Sequence, residues 1–322
     1  MIVSLEEAPL VPSGELRAMT YNVFDGPRDP EGVSSAIAAH QPDILALQEV
    51  SEEGTRRLAA ELGYRGVFFG QAKDLRHGFR FVNGKAILSR YPLSYSEHSL
   101  FVLDPEERAQ ACERRGDWGE LNEDRGILLA EVVIGDRPVE ILCVHLALGD
   151  ARINAENLRQ LHRFALGLRN QGHEILIMGD FNAHLGIKSE GDLGRYLSDY
   201  AKSPGNIAQK EVLDEAGRLL DNFPSVWETT PRREVLFSDG RVLTPEEAKE
   251  SLLSRSSGAE DWLEMKNAAD GNTHPNANKR FDNILTTLRA EKVTLDHSRR
   301  PSDHFPVLAH LTFRRHSPLP EK

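Results

Sequence analysis

The chain has 322 residues, 39% of them hydrophobic and 28% charged, with a formal net charge of -11. That length and apolar share suffice for a sizeable core, whereas the acidic balance argues against a protein whose main task is gripping a long phosphate backbone, which needs a basic face. The two cysteines, Cys112 and Cys143, are too few for a disulfide framework, and the N-terminus and the apolar runs match neither a signal peptide nor a membrane span, so cytoplasmic residence is the expectation.

Leu16 to Val23 alternates as a strand and ends near Asn22, after which Val33, Ala36, Ile37 and His40 keep helical spacing. Ile44 to Leu47 is a continuous apolar strand that stops at Gln48-Glu49, and a second helix carries Leu58 and Leu62, with Gly63 as its C-cap. Lys85 to Ser89 reads as another short strand. Ile127 to Ile134 and Val139 to Leu146 flank Gly135-Asp136 as a hairpin. Leu158, Leu161, Ala165 and Leu168 line one face of an amphipathic helix that stops before Gly172. The run Ile175 to Met178 follows and breaks off at Gly179-Asp180-Phe181-Asn182. From Leu185 to about Asn278 the sequence turns polar, helical and loop-rich, and Thr244-Pro245-Glu246-Glu247 within it has the form of a capping box. The strand pattern resumes at Arg280 to Thr286 and closes with His304 to Phe313, as if completing the earlier sheet. The expected organisation is an N-terminal extension (1–15), one domain over 16–313 with a helical and loop insertion at about 185–278, and a tail (314–322).

Asn22, Glu49, His145, Asp180, Asn182, Asp282, Asp303 and His304 all lie at the edge of an apolar run. Taken singly each has an ordinary explanation: a turn cap, a helix start, a core histidine, an Asp282–Arg280 ion pair. Together they put acid, amide and imidazole at strand tips, where α/β proteins place their chemistry. Carboxylate and amide oxygens without cysteine are hard ligands that suit Mg²⁺ or Mn²⁺, and the residue types suit hydrolysis at phosphorus. In that chemistry Glu49 anchors the metal, Asp180 orients and deprotonates the attacking water, and Asn182 holds that water or the phosphate. His304 donates to the phosphoryl oxygen, with Asp282 orienting its ring.

Ordered motifs carry a family resemblance. Thr20-Tyr21-Asn22-Val23, Pro42 to Glu49, Ala86 to Arg90, Val144-His145-Leu146, Gly179 to Asn182, Arg280 to Leu285 and Ser302 to Val307 resemble the endonuclease/exonuclease/phosphatase superfamily of DNase I, exonuclease III-type abasic endonucleases, neutral sphingomyelinases, deadenylases and inositol polyphosphate 5-phosphatases. The resemblance spans residues 16 to 313 and implies a DNase I-like α/β fold, a four-layer α/β/β/α sandwich of two packed mixed sheets flanked by helices. It further implies Asn22 beside Glu49 as a metal ligand, Asp303 on the metal directly or through water, His145 near the leaving group, and Arg125 against phosphate or a neighbouring loop.

Departures from the pattern narrow the branch. Val23-Phe24-Asp25-Gly26 and Val50-Ser51-Glu52 stand where exonuclease III-type members carry other residues, and His145 stands where they have no histidine. Lys279-Arg280-Phe281-Asp282 replaces the Trp-Cys-Asp-Arg signature of inositol 5-phosphatases. The histidine-bearing branch of DNase I and neutral sphingomyelinase type remains. His274, Asn278 and Lys279, leading into the Asp282 strand, are candidate substrate contacts, although turn chemistry explains that stretch equally well. The segment 104–124, with Arg108, Arg114, Arg115 and Trp118, is either a phosphate-recognising loop or a solvated one. Trp227 and Trp262 either pack in a core or stack on substrate. The expected activity is that of a metal-dependent phosphodiesterase on a small molecule, lipid headgroup or nucleic acid, with no obligatory protein partner. The alternatives are a nuclease on DNA or RNA and, lower, a non-catalytic binding protein on the same fold.

Overall fold

A computed structural model describes residues 14–24, 29–74, 81–103, 105–106, 109–110, 125–148, 150–183, 185, 209–254, 273, 280–298 and 301–313. Two strand–helix–strand units build its centre. In the first, β1 (Glu15–Asn22) and β2 (Ile44–Val50) run parallel, joined through α1 (Pro30–His40). The start of α1 is fixed by Asp29, whose side chain accepts from the Gly32 N–H, and by Pro30, whose ring presets the first helical φ. In the second, β7 (Arg137–His145) and β8 (Glu174–Asp180) run parallel across α3 (Ala151–Asn170), capped by the Asp150 carboxylate. Between these units lie α2 (Glu52–Leu62), β3 (Arg65–Asp74), β4 (Phe81–Ser89), β5 (Leu93–Leu100) and β6 (Gly126–Ile134). After β8 come α4 (Gln209–Asn222), α5 (Val226–Thr229), β9 (Arg233–Leu236), β10 (Val242–Leu243), α6 (Pro245–Ser254), β11 (Asp282–Thr286), β12 (Arg289–Asp296) and β13 (Val307–Thr312).

The strands form an eight-stranded sheet, ordered β10-β9-β12-β13-β1-β2-β4-β3, and a five-stranded sheet, ordered β11-β8-β7-β6-β5. Both are mixed. Side chains alternate along each strand, and the two faces of each sheet fill different cores. Leu16, Ala18, Ile44, Ala46 and Ile87 of the large sheet meet Leu128, Ala130, Ile141, Cys143, Leu176 and Met178 of the small one. On the outer face of the large sheet Met19, Tyr21, Leu45 and Leu47 pack under Val33 and Ile37 of α1 and Leu58 of α2. On the outer face of the small sheet Leu142, Val144, Ile175 and Ile177 pack under Leu158 and Leu161 of α3 and Leu219 of α4. The result is the four-layer α/β/β/α sandwich. Among the described residues no helix is long and apolar enough to cross a membrane.

The segment read as helical and loop-rich also supplies two strands: β9 pairs parallel with β12 and extends the large sheet, and β10 pairs with β9. β3, β5 and β12 likewise lacked a legible pattern. The capping box before α6 forms as written, Thr244 N–H donating to Glu247 Oε2 and Glu247 N–H to Thr244 Oγ1. Trp227 is buried in the core between the sheets, and Arg280 pairs with Glu228 rather than with Asp282. Cys143 is a buried free thiol. Arg108, Cys112, Arg114, Arg115, Trp118, Trp262, His274, Asn278, Lys279 and the tail 314–322 lie outside the described residues.

Candidate active site

One end of the sandwich collects the polar strand tips. Parallel pairing sets His145 at the end of β7 beside Asp180 at the end of β8, and antiparallel pairing sets Asp282, the first residue of β11, on the other side of Asp180. His145, Asp180 and Asp282 thus form a row across three neighbouring strands. Asn22 at the end of β1, Glu49 near the end of β2 and His304 just before β13 face that row from the large sheet.

Local backbone irregularities aim these groups. Glu49 is the extra residue of a β-bulge, because Gln48 pairs with Lys85 and Val50 with Gly84, leaving Glu49 without an opposite number. Its φ of 54° is left-handed, a conformation that costs about 1–3 kcal/mol for such a residue. Regular alternation would send Glu49 to the helix-covered face with Leu45 and Leu47; the bulge brings it to Asn22 instead. Gly179 precedes Asp180 and lies opposite Val144 of β7, where a Cβ would lie 2.0 Å from the Val144 carbonyl oxygen. Asn182 also adopts positive φ, 47°, which asparagine tolerates better than most residues.

Asn22 Nδ2 donates to both Glu49 Oε1 and Asp180 Oδ2, each at 3.1 Å. His145 Nε2 lies 3.8 Å from Glu49 Oε1 and 3.6 Å from Asp180 Oδ2. His304 Nδ1 is 2.7 Å from Asp282 Oδ2, and its Nε2 turns toward the centre, 3.9 Å from Asp180 Oδ2. The Asn182 N–H donates to Asp180 Oδ1 at 2.8 Å and its Nδ2 to the Leu146 carbonyl at 3.0 Å. Arg125 sits behind His145, Nη1 donating to the His145 carbonyl at 3.4 Å. Asp303 is half-buried, its Oδ1 3.4 Å from Ser302 Oγ.

Burial pushes the Asp180 carboxyl well above the ordinary carboxylate range, and the neighbouring charge of Asp282 adds to the rise; His304 and the hydrogen bonds from Asn182 and Asn22 pull the other way. Burial also disfavours the His304 imidazolium, but the charge and hydrogen bond of Asp282, with the charges of Asp180 and Asp303, outweigh it and raise the ring's pKa. A carboxyl whose pKa is raised and an imidazole whose pKa is raised thus lie 3.9 Å apart.

Supporting residues came to light that sequence reasoning passed over. Asn154 Nδ2 donates to the carbonyls of Ala147 and Phe181, tying the loop after His145 to the one after Asp180. Asn157 Oδ1 accepts from the Ala147 N–H. Both lie on the buried face of α3 with Leu158 and Leu161, and amides on an apolar stripe are the signal that could have found them. Thr273 and Ser302 brace the His304 side; Ser302 Oγ donates to the Asn22 carbonyl and accepts from the His304 N–H.

The sequence profile of the Endonuclease/Exonuclease/phosphatase family matches residues 19–304, from the middle of β1 to His304 itself. The chain belongs to that family. It is accordingly a phosphoester-hydrolysing enzyme by kinship. Solved structures with this fold include an endonuclease/exonuclease/phosphatase from Bacteroides vulgatus (TM-score 0.59, 16% identity, 93% of this chain and 99% of that one). Another, from Beutenbergia cavernae, has TM-score 0.58 and 19% identity over 93% of this chain and 72% of its own. Truncated TDP2 of Caenorhabditis elegans has TM-score 0.50 and 17% identity over 92% and 97%. No curated protein sequence matches the chain.

Members of the family generally use divalent metals, and the donors fit such an ion. Glu49, Asp180 and Asp282 converge beside imidazole and amide groups, and among the described residues the buried Asp282 Oδ1 has no hydrogen-bond partner. One ligand atom each from Asp180, Asp282 and His304 lies within 4.8 Å of the others. A set of carboxylate and amide oxygens without thiolate suits a hard cation.

Proposed function

We propose that this enzyme is a Mg²⁺- or Mn²⁺-dependent phosphodiesterase of the family's histidine-bearing branch, cleaving its ester by in-line attack of water. The observation that carries the reading is the buried opposition of Asp180 and His304, 3.9 Å apart, with pKa values displaced in the directions that a base and an acid require. Glu49, with Asn22 beside it and Asp303 at the margin, would hold the ion, which supplies charge neutralisation at the phosphoryl oxygen. Asp180 Oδ2 accepts the proton of the attacking water. Asn182 fixes the carboxylate through its N–H and offers its side-chain oxygen to the water. His304 Nε2 donates to a non-bridging oxygen as charge builds there, its ring held by Asp282. His145, within reach of both Glu49 and Asp180, stands on the leaving-group side, and Arg125 holds the backbone of that histidine.

Hydrolysis of bis(p-nitrophenyl) phosphate tests the reading. Glu49→Gln, Asp180→Asn and His304→Ala should each lower kcat by at least about 10³-fold with near-native circular dichroism, since each removes a group acting on the reacting atoms. Excess chelator should abolish turnover and Mg²⁺ or Mn²⁺ restore it. Normal rates in any of these variants, or full activity in chelator, would overturn the assignment. Cleavage of plasmid DNA at rates far above the small diester would instead select the nuclease reading.

A further inference from the structure

We infer that Thr273 is a positioning residue for the Asp282–His304 pair, its hydroxyl fixing where the carboxylate stands and hence where the imidazole points. The inference rests on the reading of His304 as the acid. Asp282 is the first residue of β11, and the Phe281 carbonyl just before it accepts from the Phe181 N–H at 2.9 Å on the β8 side. Thr273 holds the same two residues through their N–H groups. Its Oγ1 accepts from two consecutive N–H groups, Phe281 and Asp282, each at 3.0 Å. The Thr273 carbonyl accepts from the Phe305 N–H at 2.7 Å. One fully buried residue therefore grips both ends of the pair: the backbone of Asp282 directly, and that of His304 through its neighbour Phe305.

Both donors to Oγ1 are buried, so removing the acceptor leaves two N–H groups to find other partners by moving the chain. The Asp282–His304 hydrogen bond, 2.7 Å long, is the contact such movement disturbs first. A displacement on the order of 1 Å at a reacting group lowers the rate about 100-fold, and loss of a supporting hydrogen bond around a catalytic ligand typically costs about 10–100-fold.

Thr273→Val removes the hydroxyl while keeping the shape, and Thr273→Ser keeps the hydroxyl. With the small diester, the valine variant should lose about 10- to 100-fold in kcat with KM within about twofold, and serine should restore kcat to within about threefold. Thr273→Ala repeats the measurement without added bulk should valine not be tolerated. Imidazole NMR supplies a readout independent of turnover: the His304 Nδ1–H resonance should move in the valine and alanine variants and stay in the serine variant. A merely structural threonine would lower Tm in Thr273→Val while leaving both kcat per folded molecule and that resonance unchanged, and this result overturns the inference. Asp282→Asn and His304→Ala serve as controls. If they keep full activity it is the hydrolytic reading that fails, and the resonance alone then decides the role of Thr273.

Discussion

At the residue scale the dominant tension is among carboxylates. Glu49 and Asp180 share the two hydrogens of one amide, Asn22 Nδ2, while Asp282 stands on the far side of Asp180. Glu49 bears in addition the left-handed backbone of its bulge. Such crowding is stable only if a cation or a protonated imidazole offsets it. Glu49→Gln should therefore raise the Tm of the metal-free protein by a few degrees, worth about 1 kcal/mol, and Mg²⁺ should stabilise the parent protein more than the variant. Thermal shifts with and without Mg²⁺ measure this, and a lower Tm for metal-free Glu49→Gln would show that the carboxylate is stabilising in its own right.

At the element scale, legibility tracked burial on two faces. β1, β2, β7 and β8 lie inside their sheets and are covered by helices outside and the opposite sheet inside; β2, β7 and β8 read as apolar runs and β1 as an alternating strand. β3, β5 and β10 are edges; β5 breaks its apolar residues with serine, glutamate and histidine, β3 breaks its own with glycine and charged residues, and β10 is two residues long, so no run announced them. The strand-end residues were visible for the same reason: they interrupt the clearest runs in the chain. Thr273 was not visible, because nothing local distinguishes a buried threonine within a turn-like stretch. The far ends of these central strands offer a contrast. Glu131 and Glu140 are directly opposite across β6 and β7, Glu140 is wholly buried, and His173 Nδ1 lies 3.0 Å from Glu140 Oε1. Like charges face to face destabilise a ladder. His173→Ala should lower stability by about 2 kcal/mol in urea denaturation while kcat stays at the parent value, since the trio lies at the other end of β7 and β8 from the site. An unchanged midpoint would show that His173 does not offset the pair.

At the scale of the whole molecule, the two sheets are joined at their edges as well as through the core. His98 of β5 stacks on Phe69 of β3, bridging the small sheet to the large. Burial, aided by the charge of Lys85, lowers the His98 pKa from 6.5 to about 3. The unfolded chain then binds a proton that the folded one refuses, so His98 favours folding above pH 6.5 and that contribution is lost as pH falls toward about 3. His98→Phe, which keeps a ring against Phe69, should flatten the decline in urea midpoint between pH 7 and pH 4.5; an identical decline in both proteins would remove His98 from the acid response.

The pairing of β8 with β11 has a consequence for how such a protein can change. Asp180 and Asp282 stand opposite each other because two strands share a register, whatever the length of chain between them. The ladder acts as a ruler, and only the parts of the intervening segment outside α4, Trp227, β9 and Thr273, which pack into the fold or brace Asp282, are a free parameter. Residues can be added to or removed from those parts, and new surface grown beside the cleft, without altering the spacing of the two acids. Slipping β11 by a single residue would do the opposite, turning Asp282 to the other face of the sheet and putting Phe281 or Asn283 in its row. Variation in what the enzyme recognises and constancy in what it does to a phosphoester can therefore reside in adjoining stretches of one chain.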